Sequence, residues 1–229
     1  MKSQYLYLLL DLLCILIPLL ASFYAKAPFY KKLRDVGIAI LIPAILFIVW
    51  DEIFTRLEIW GFNPRYISGL MVGSLPVEEI LFFVCIPYAC VFAYFVLRHF
   101  IQTRYFFSHN ELLSYAIILF MLIAGIYNLD KPYTAITFMG LAFYLSFLTL
   151  KIRARYLGHF YAAFFIILIP FFIVNGILTG SFIEEEVVWY NEGAILGFRI
   201  GTVPVEDVFY AMFLLVMNVS VYEWLQERR

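Results

Sequence analysis

A chain of 229 residues that is 64% hydrophobic, 20% aromatic and only 14% charged, with a mean hydropathy of +0.90, lies well outside the composition of water-soluble domains. A net charge of −1 and the lack of a long basic block exclude a nucleic-acid partner. Three cysteines, Cys14, Cys85 and Cys90, sit in apolar runs without CxxC or Cys/His spacing, so neither a disulfide framework nor a zinc site is expected.

Apolar stretches of about twenty residues match the hydrocarbon thickness of a bilayer. Seven of them predict helices near 5–24, 36–53, 76–97, 112–128, 132–150, 158–179 and 204–224. The first contains Asp11 and lacks a small-residue cleavage site, so it reads as a retained span and not as a signal peptide. Lys26, Lys31, Lys32, Arg34, Arg98, Arg104, Lys151, Arg153, Arg155, Arg228 and Arg229 fall on one side of this arrangement, with five Lys or Arg on the other. Basic loops stay in the cytoplasm, which predicts a multi-pass cell-membrane protein with its N-terminus outside and its C-terminus inside. The loops at 54–75 and 180–203 are then external. Their length and their aromatic and Gly content suggest partial re-entry or a lid.

Laid over each other without a gap, residues 62–79 and 190–207 pair Asn63 with Asn191, Ile67 with Ile195, Gly69 with Gly197, Gly73 with Gly201 and Pro76-Val77-Glu78 with Pro204-Val205-Glu206. Glu79 then pairs with Asp207 and Phe82 with Tyr210, while Pro43 matches Pro170 at nearly the same offset. Duplication is the economical explanation. The expected fold is an all-α integral membrane protein of about seven transmembrane helices: a first three-helix repeat over 1–98, a linker helix over 99–130 and a second repeat over 131–229. Copies four spans apart share one orientation, so the repeats are parallel.

Proline suits the first turn of a helix, and an acid after it suits the positive end of the helix dipole. Capping alone would explain one such motif. Four carboxylates in matched pairs at one membrane face, Glu78, Glu79, Glu206 and Asp207, cost too much desolvation to be caps only, and they are the candidate chemical groups. Neighbours on a helix point about 100° apart, so one acid of each pair can face the bundle centre. Glu78 and Glu206 are the expected inward pair, with Phe82 and Tyr210 one turn below them. Burial of neighbouring carboxyls lets one stay protonated beside another that accepts a proton, as general acid–base work requires. Asp51 and Asn175 occupy corresponding places near the motifs and are supporting candidates. Asp11 reads as a structural hydrogen-bonding group. His99, His109 and His159 read as interfacial, and Arg65 and Arg199 could pair with the motif acids or lie solvated.

A short multispan chain with this doubled Pro-x-Glu-acid motif resembles the heterodimer-type lycopene cyclases, here with the two halves fused. Trp50-Asp51, Trp60-Gly61-Phe62, Val174-Asn175-Gly176, Trp189-Tyr190 and Tyr222-Glu223 fall where that resemblance expects them. It implies an intramolecular lyase or isomerase that closes the ends of lycopene into rings without net redox change, most simply β-rings by way of a monocyclic intermediate. An acid, a base and aromatic faces for a transient cation are what that chemistry needs. No GxGxxG follows a strand, so no flavin or nicotinamide is expected, and no metal is expected either. The partners implied are lycopene, related carotenoids and membrane lipid, and homo-oligomerisation stays open. A small parallel-repeat transporter and a cyclase of a longer prenylated carotenoid are the competing readings. The last helix has no lysine for a retinal Schiff base, which removes a rhodopsin.

Overall fold

The computed structural model describes residues 3–100 and 110–228. His109, Arg104 and Arg229 lie outside the described residues. Seven α-helices follow in order: α1 (Leu6–Ala21), α2 (Leu33–Arg56), α3 (Val77–Phe100), α4 (Asn110–Tyr127), α5 (Pro132–Ser146), α6 (Leu157–Leu178) and α7 (Val205–Glu227). Five segments are long and apolar enough to cross a membrane, and α1 and α4 are shorter apolar helices. This is an all-α membrane protein. Leu12, Ile17, Ile45, Phe143, Phe165 and Ile169 stand exposed on the outer faces of their helices, a pattern that costs apolar hydration in water and nothing in lipid.

Several helix ends differ from expectation for local reasons. Helix α1 stops at Ala21 and not near residue 24, because the Ser22 hydroxyl donates to the Pro18 carbonyl and the chain turns towards Pro28. Helix α5 leaves α geometry at Ser146 and continues as a wider π turn over Phe147–Ile152, ending at Arg153 in the left-handed region. The motif prolines stand just outside their helices, with Pro204 the N-cap of α7. The first helical N–H groups are used elsewhere: Val77 donates to the Leu70 carbonyl at 2.9 Å and Val205 to Phe198 at 3.0 Å.

The loops ahead of α3 and α7 are short antiparallel ribbons. Strands β1 (Trp60–Phe62) and β4 (Val188–Tyr190) pair across the two halves with Trp60 opposite Tyr190 and Phe62 opposite Val188. Hairpins β2–β3 (Met71–Val72, Leu75–Pro76) and β5–β6 (Arg199–Ile200, Val203–Pro204) lead into the two motif helices. Each hairpin turns through a glycine at φ +66°, Gly73 or Gly201, a conformation that L-residues avoid. That requirement accounts for one matched glycine pair.

Packing crosses between the halves. Helix α2 lies on α7 and α6 lies on α3, while α1 packs on α3 and α5 on α7. The main core is built around Val91, Met121, Phe138, Leu141, Leu145 and Val216, all buried. At the end away from the motifs, Glu223 is 2% exposed and is closed by Arg98 and by the Tyr94 hydroxyl, which donates at 2.8 Å.

Candidate active site

All four motif acids are buried, at most 8% exposed, yet their surroundings divide them differently from the expectation. Glu78 and Glu206 turn away from the bundle centre towards the loops. Glu78 Oε1 accepts the Ser68 backbone N–H at 2.8 Å, and Glu206 Oε1 accepts the Leu196 N–H at 2.7 Å, the same contact at the same repeat offset. Thr134 adds a hydroxyl to Glu206 at 2.6 Å. Charge-assisted bonds of this kind contribute about 1.5–3 kcal/mol, enough to tie each loop to its helix start. The inward pair is therefore Glu79 and Asp207. The reason is rotational: the packing of α3 and α7 on their neighbouring helices sets which of two adjacent helical positions meets the centre.

Glu79 and Asp207 project into one cavity of about 880 Å³ whose lining is overwhelmingly apolar. The Tyr7 hydroxyl donates to Glu79 Oε2 at 2.5 Å, and the Asp51 carboxyl is a near neighbour of Glu79. Trp60 donates its indole N–H to Asp51 Oδ1 at 2.5 Å. Two carboxyls set side by side can share one proton between them.

The second half repeats this frame with one change of chemistry. Tyr133 donates to Asp207 Oδ1 at 2.7 Å, matching Tyr7 on Glu79. Where Asp51 would correspond, Asn175 donates an amide N–H to Asp207 Oδ2 at 2.8 Å, and the Tyr190 hydroxyl adds a third bond at 2.9 Å. Burial first, and then the Asp207 carboxylate, pushes the Tyr190 phenol well above its ordinary range, so it remains a donor. Three donors and no facing acid suit a carboxylate. The first half thus sets two carboxyls together, and the second surrounds one carboxyl with three donors.

Aromatic rings wall the space between the two sets. Tyr210 lies 5.1 Å from Trp50 and 6.1 Å from both Trp60 and Tyr133, and Trp60 and Tyr133 stand 4.9 Å apart, centroid to centroid. Phe82 is held edge-on by Tyr7 at 6.4 Å. Ring faces attract a cation, and apolar walls exclude the water that would quench one.

Of the residues singled out from sequence, Asp51, Glu79, Phe82, Asn175, Asp207 and Tyr210 line the cavity together, and Glu78 and Glu206 do not. Asp11 is buried on α1 outside that lining. Arg65 pairs with Glu184 and Arg199 with Glu192 at 2.7 Å, so neither basic side chain reaches the motif acids. Tyr7 and Tyr133 went unread as donors. Both lie near the start of equivalent helices, 126 positions apart against the repeat offset of 128, and carrying the internal comparison back into those helices would have found them.

A family model described as lycopene cyclase matches residues 4–97 and 130–225, one segment for each half. No curated protein and no solved structure matches the chain.

Proposed function

The chain belongs to the lycopene cyclase family, and on that premise we propose that it closes the linear ends of lycopene into β-rings by acid–base chemistry that needs no cofactor. The observation that carries this reading is one cavity, lined mostly by apolar and aromatic side chains, into which the neighbouring acids Asp51 and Glu79 and the triply donated Asp207 all open. Residues 1–98 and 131–229 act as the two repeats, 99–130 links them, and the N-terminus lies outside.

Glu79, supplied by the pair it forms with Asp51, gives its proton to the terminal C=C bond, leaving a tertiary cation. The π electrons of the next C=C bond attack that cation and form the C–C bond that closes a six-membered ring. Positive charge moves to the ring carbon next to the polyene attachment. Asp207 then takes the proton from the attachment carbon, whose C–H electrons become the new ring double bond. One proton enters and one leaves, so the product is an isomer of the substrate. Tyr210, Trp60 and Phe82 offer ring faces to the cation between these steps. Asp207, at the end of this path, selects the β over the ε double bond by which proton it reaches.

Expression in cells that accumulate lycopene, followed by pigment chromatography, tests the reading. Ringed product is expected from the unaltered chain, and none from Glu79→Gln or Asp207→Asn present in the membrane at equal amount. Unchanged lycopene with the unaltered protein folded in the membrane would overturn the assignment.

A further inference from the structure

The cavity is a groove along α3. It runs from Glu79 at one end to Phe100 at the other, bounded by α1 on one side and α6 on the other. Those two helices each pack on α3 and scarcely meet one another, and their facing lips carry exposed apolar side chains: Leu13 and Ile17 on α1, Ile166 and Ile173 on α6. The step from Glu79 to Phe100 covers roughly 32 Å at about 1.5 Å per residue, close to the hydrocarbon thickness of about 30 Å. Ala93, Val96, Leu97 and Phe100 line the far half, and no acid lies among the described lining residues there.

The duplication ought to provide a second groove between α5 and α2, and it is filled. Phe213 occupies it, packed at 5.4 Å from Phe47, 5.9 Å from Tyr144 and 6.1 Å from Trp50. A Cβ on Gly140 would come within 2.8 Å of that ring, so the glycine is what admits it. The corresponding positions in the first half hold Cys14, which lines the open groove, and Cys85, both much smaller than a Phe ring.

Resting on the cyclase reading above, we infer that lycopene slides sideways from the bilayer between α1 and α6 and lies lengthwise in this one groove, so that only one of its ends meets the acids per visit. A rod-shaped polyene as long as the membrane core cannot fold back to present its other end. The second ring therefore requires the monocyclic product to leave through the same slot and return reversed.

Purified full-length protein in vesicles containing lycopene, with added isotope-labelled monocyclic carotenoid, distinguishes the outcomes. Monocyclic product should form first, and the label should enter the bicyclic pool in proportion to its share of free monocycle. Bicyclic product from the earliest samples with label excluded would overturn one-ended binding. Failure to form any ring overturns the cyclase reading itself. Transplanting the plug, Cys14→Gly with Cys85→Phe, leaves every acid in place and should slow lycopene consumption at least tenfold; an undiminished rate overturns the lateral groove. Should that double variant not accumulate, Ile173→Trp on the lip is expected to give a several-fold slowing, and an unchanged rate there overturns the lateral groove equally.

Discussion

Asn175 donates its amide to Asp207 at 2.8 Å, in the place where the first half sets Asp51 against Glu79. One replacement of a carboxyl by an amide thus breaks an otherwise matched pair of sites. In the proposed mechanism it separates a proton-holding half from a proton-accepting half, which a symmetric duplication could not do by itself.

Asp51→Asn is therefore expected to lower ring formation about 10²-fold or more, the usual range for losing a positioned general acid. Asn175→Asp should lower it too, by facing Asp207 with a second acid. Combining them exchanges the two arrangements, and the double variant should regain part of the loss, because groups in direct contact do not act additively. Pigment chromatography normalised to membrane-bound protein reads all three, and a double variant no better than the worse single would refute the division of roles.

Glu79→Gln and Asp207→Asn should abolish ring closure while leaving thermal unfolding in detergent nearly unchanged. Glu78→Gln and Glu206→Gln should behave in the opposite manner. Each weakens a charge-assisted bond to a loop N–H, from Ser68 or Leu196, and is expected to cost about 1–3 kcal/mol of stability with measurable activity in the folded fraction.

Tyr133→Phe removes the 2.7 Å bond to Asp207 but keeps the ring that packs on Trp60. The expected result is a loss of about one order of magnitude in turnover with little change in stability, on the ground that a net hydrogen bond contributes about 0.5–1.5 kcal/mol. A loss of folding instead would assign the hydroxyl to structure.

Running the reaction in D2O should place one deuterium per ring, on the carbon that receives the proton from the acid pair. Mass spectrometry of the pigment counts it. Rings free of deuterium would exclude proton-initiated closure.

Glu223→Ala leaves the half-buried Arg98 and the Tyr94 hydroxyl without their shared acceptor at the end of the bundle remote from the cavity acids. Solvent screens the Arg98 that remains, 45% exposed, so the cost is about 1–3 kcal/mol, mainly the charge-assisted bonds lost. A lower thermal stability is expected, with product identity unchanged in whatever protein folds.

Much of this was open to reading along the chain. Apolar runs as long as a bilayer is thick place helices wherever they occur, since only hydrogen-bonded helices or closed barrels satisfy the backbone in lipid. The matched Pro-Val-Glu-acid segments, with Gly73 and Gly201, revealed the repeat and set the four motif acids at one end of the bundle, because a hairpin turn and a helix start are local events governed by nearby residues. Which acid of each pair faces the cavity was not local. Glu78 and Glu79 differ by about 100° around one axis, and the rotation of α3 and α7 about their axes is decided by the helices packed on them, α1, α2 and α6 on α3 and α2 and α5 on α7. The Tyr donors from α1 and α5, the Asp51–Glu79 contact and the plugging of one groove by Phe213 likewise join residues from separate helices. Only three-dimensional packing brings such groups to within a few ångströms, and there the two copies of one motif acquire different chemistry.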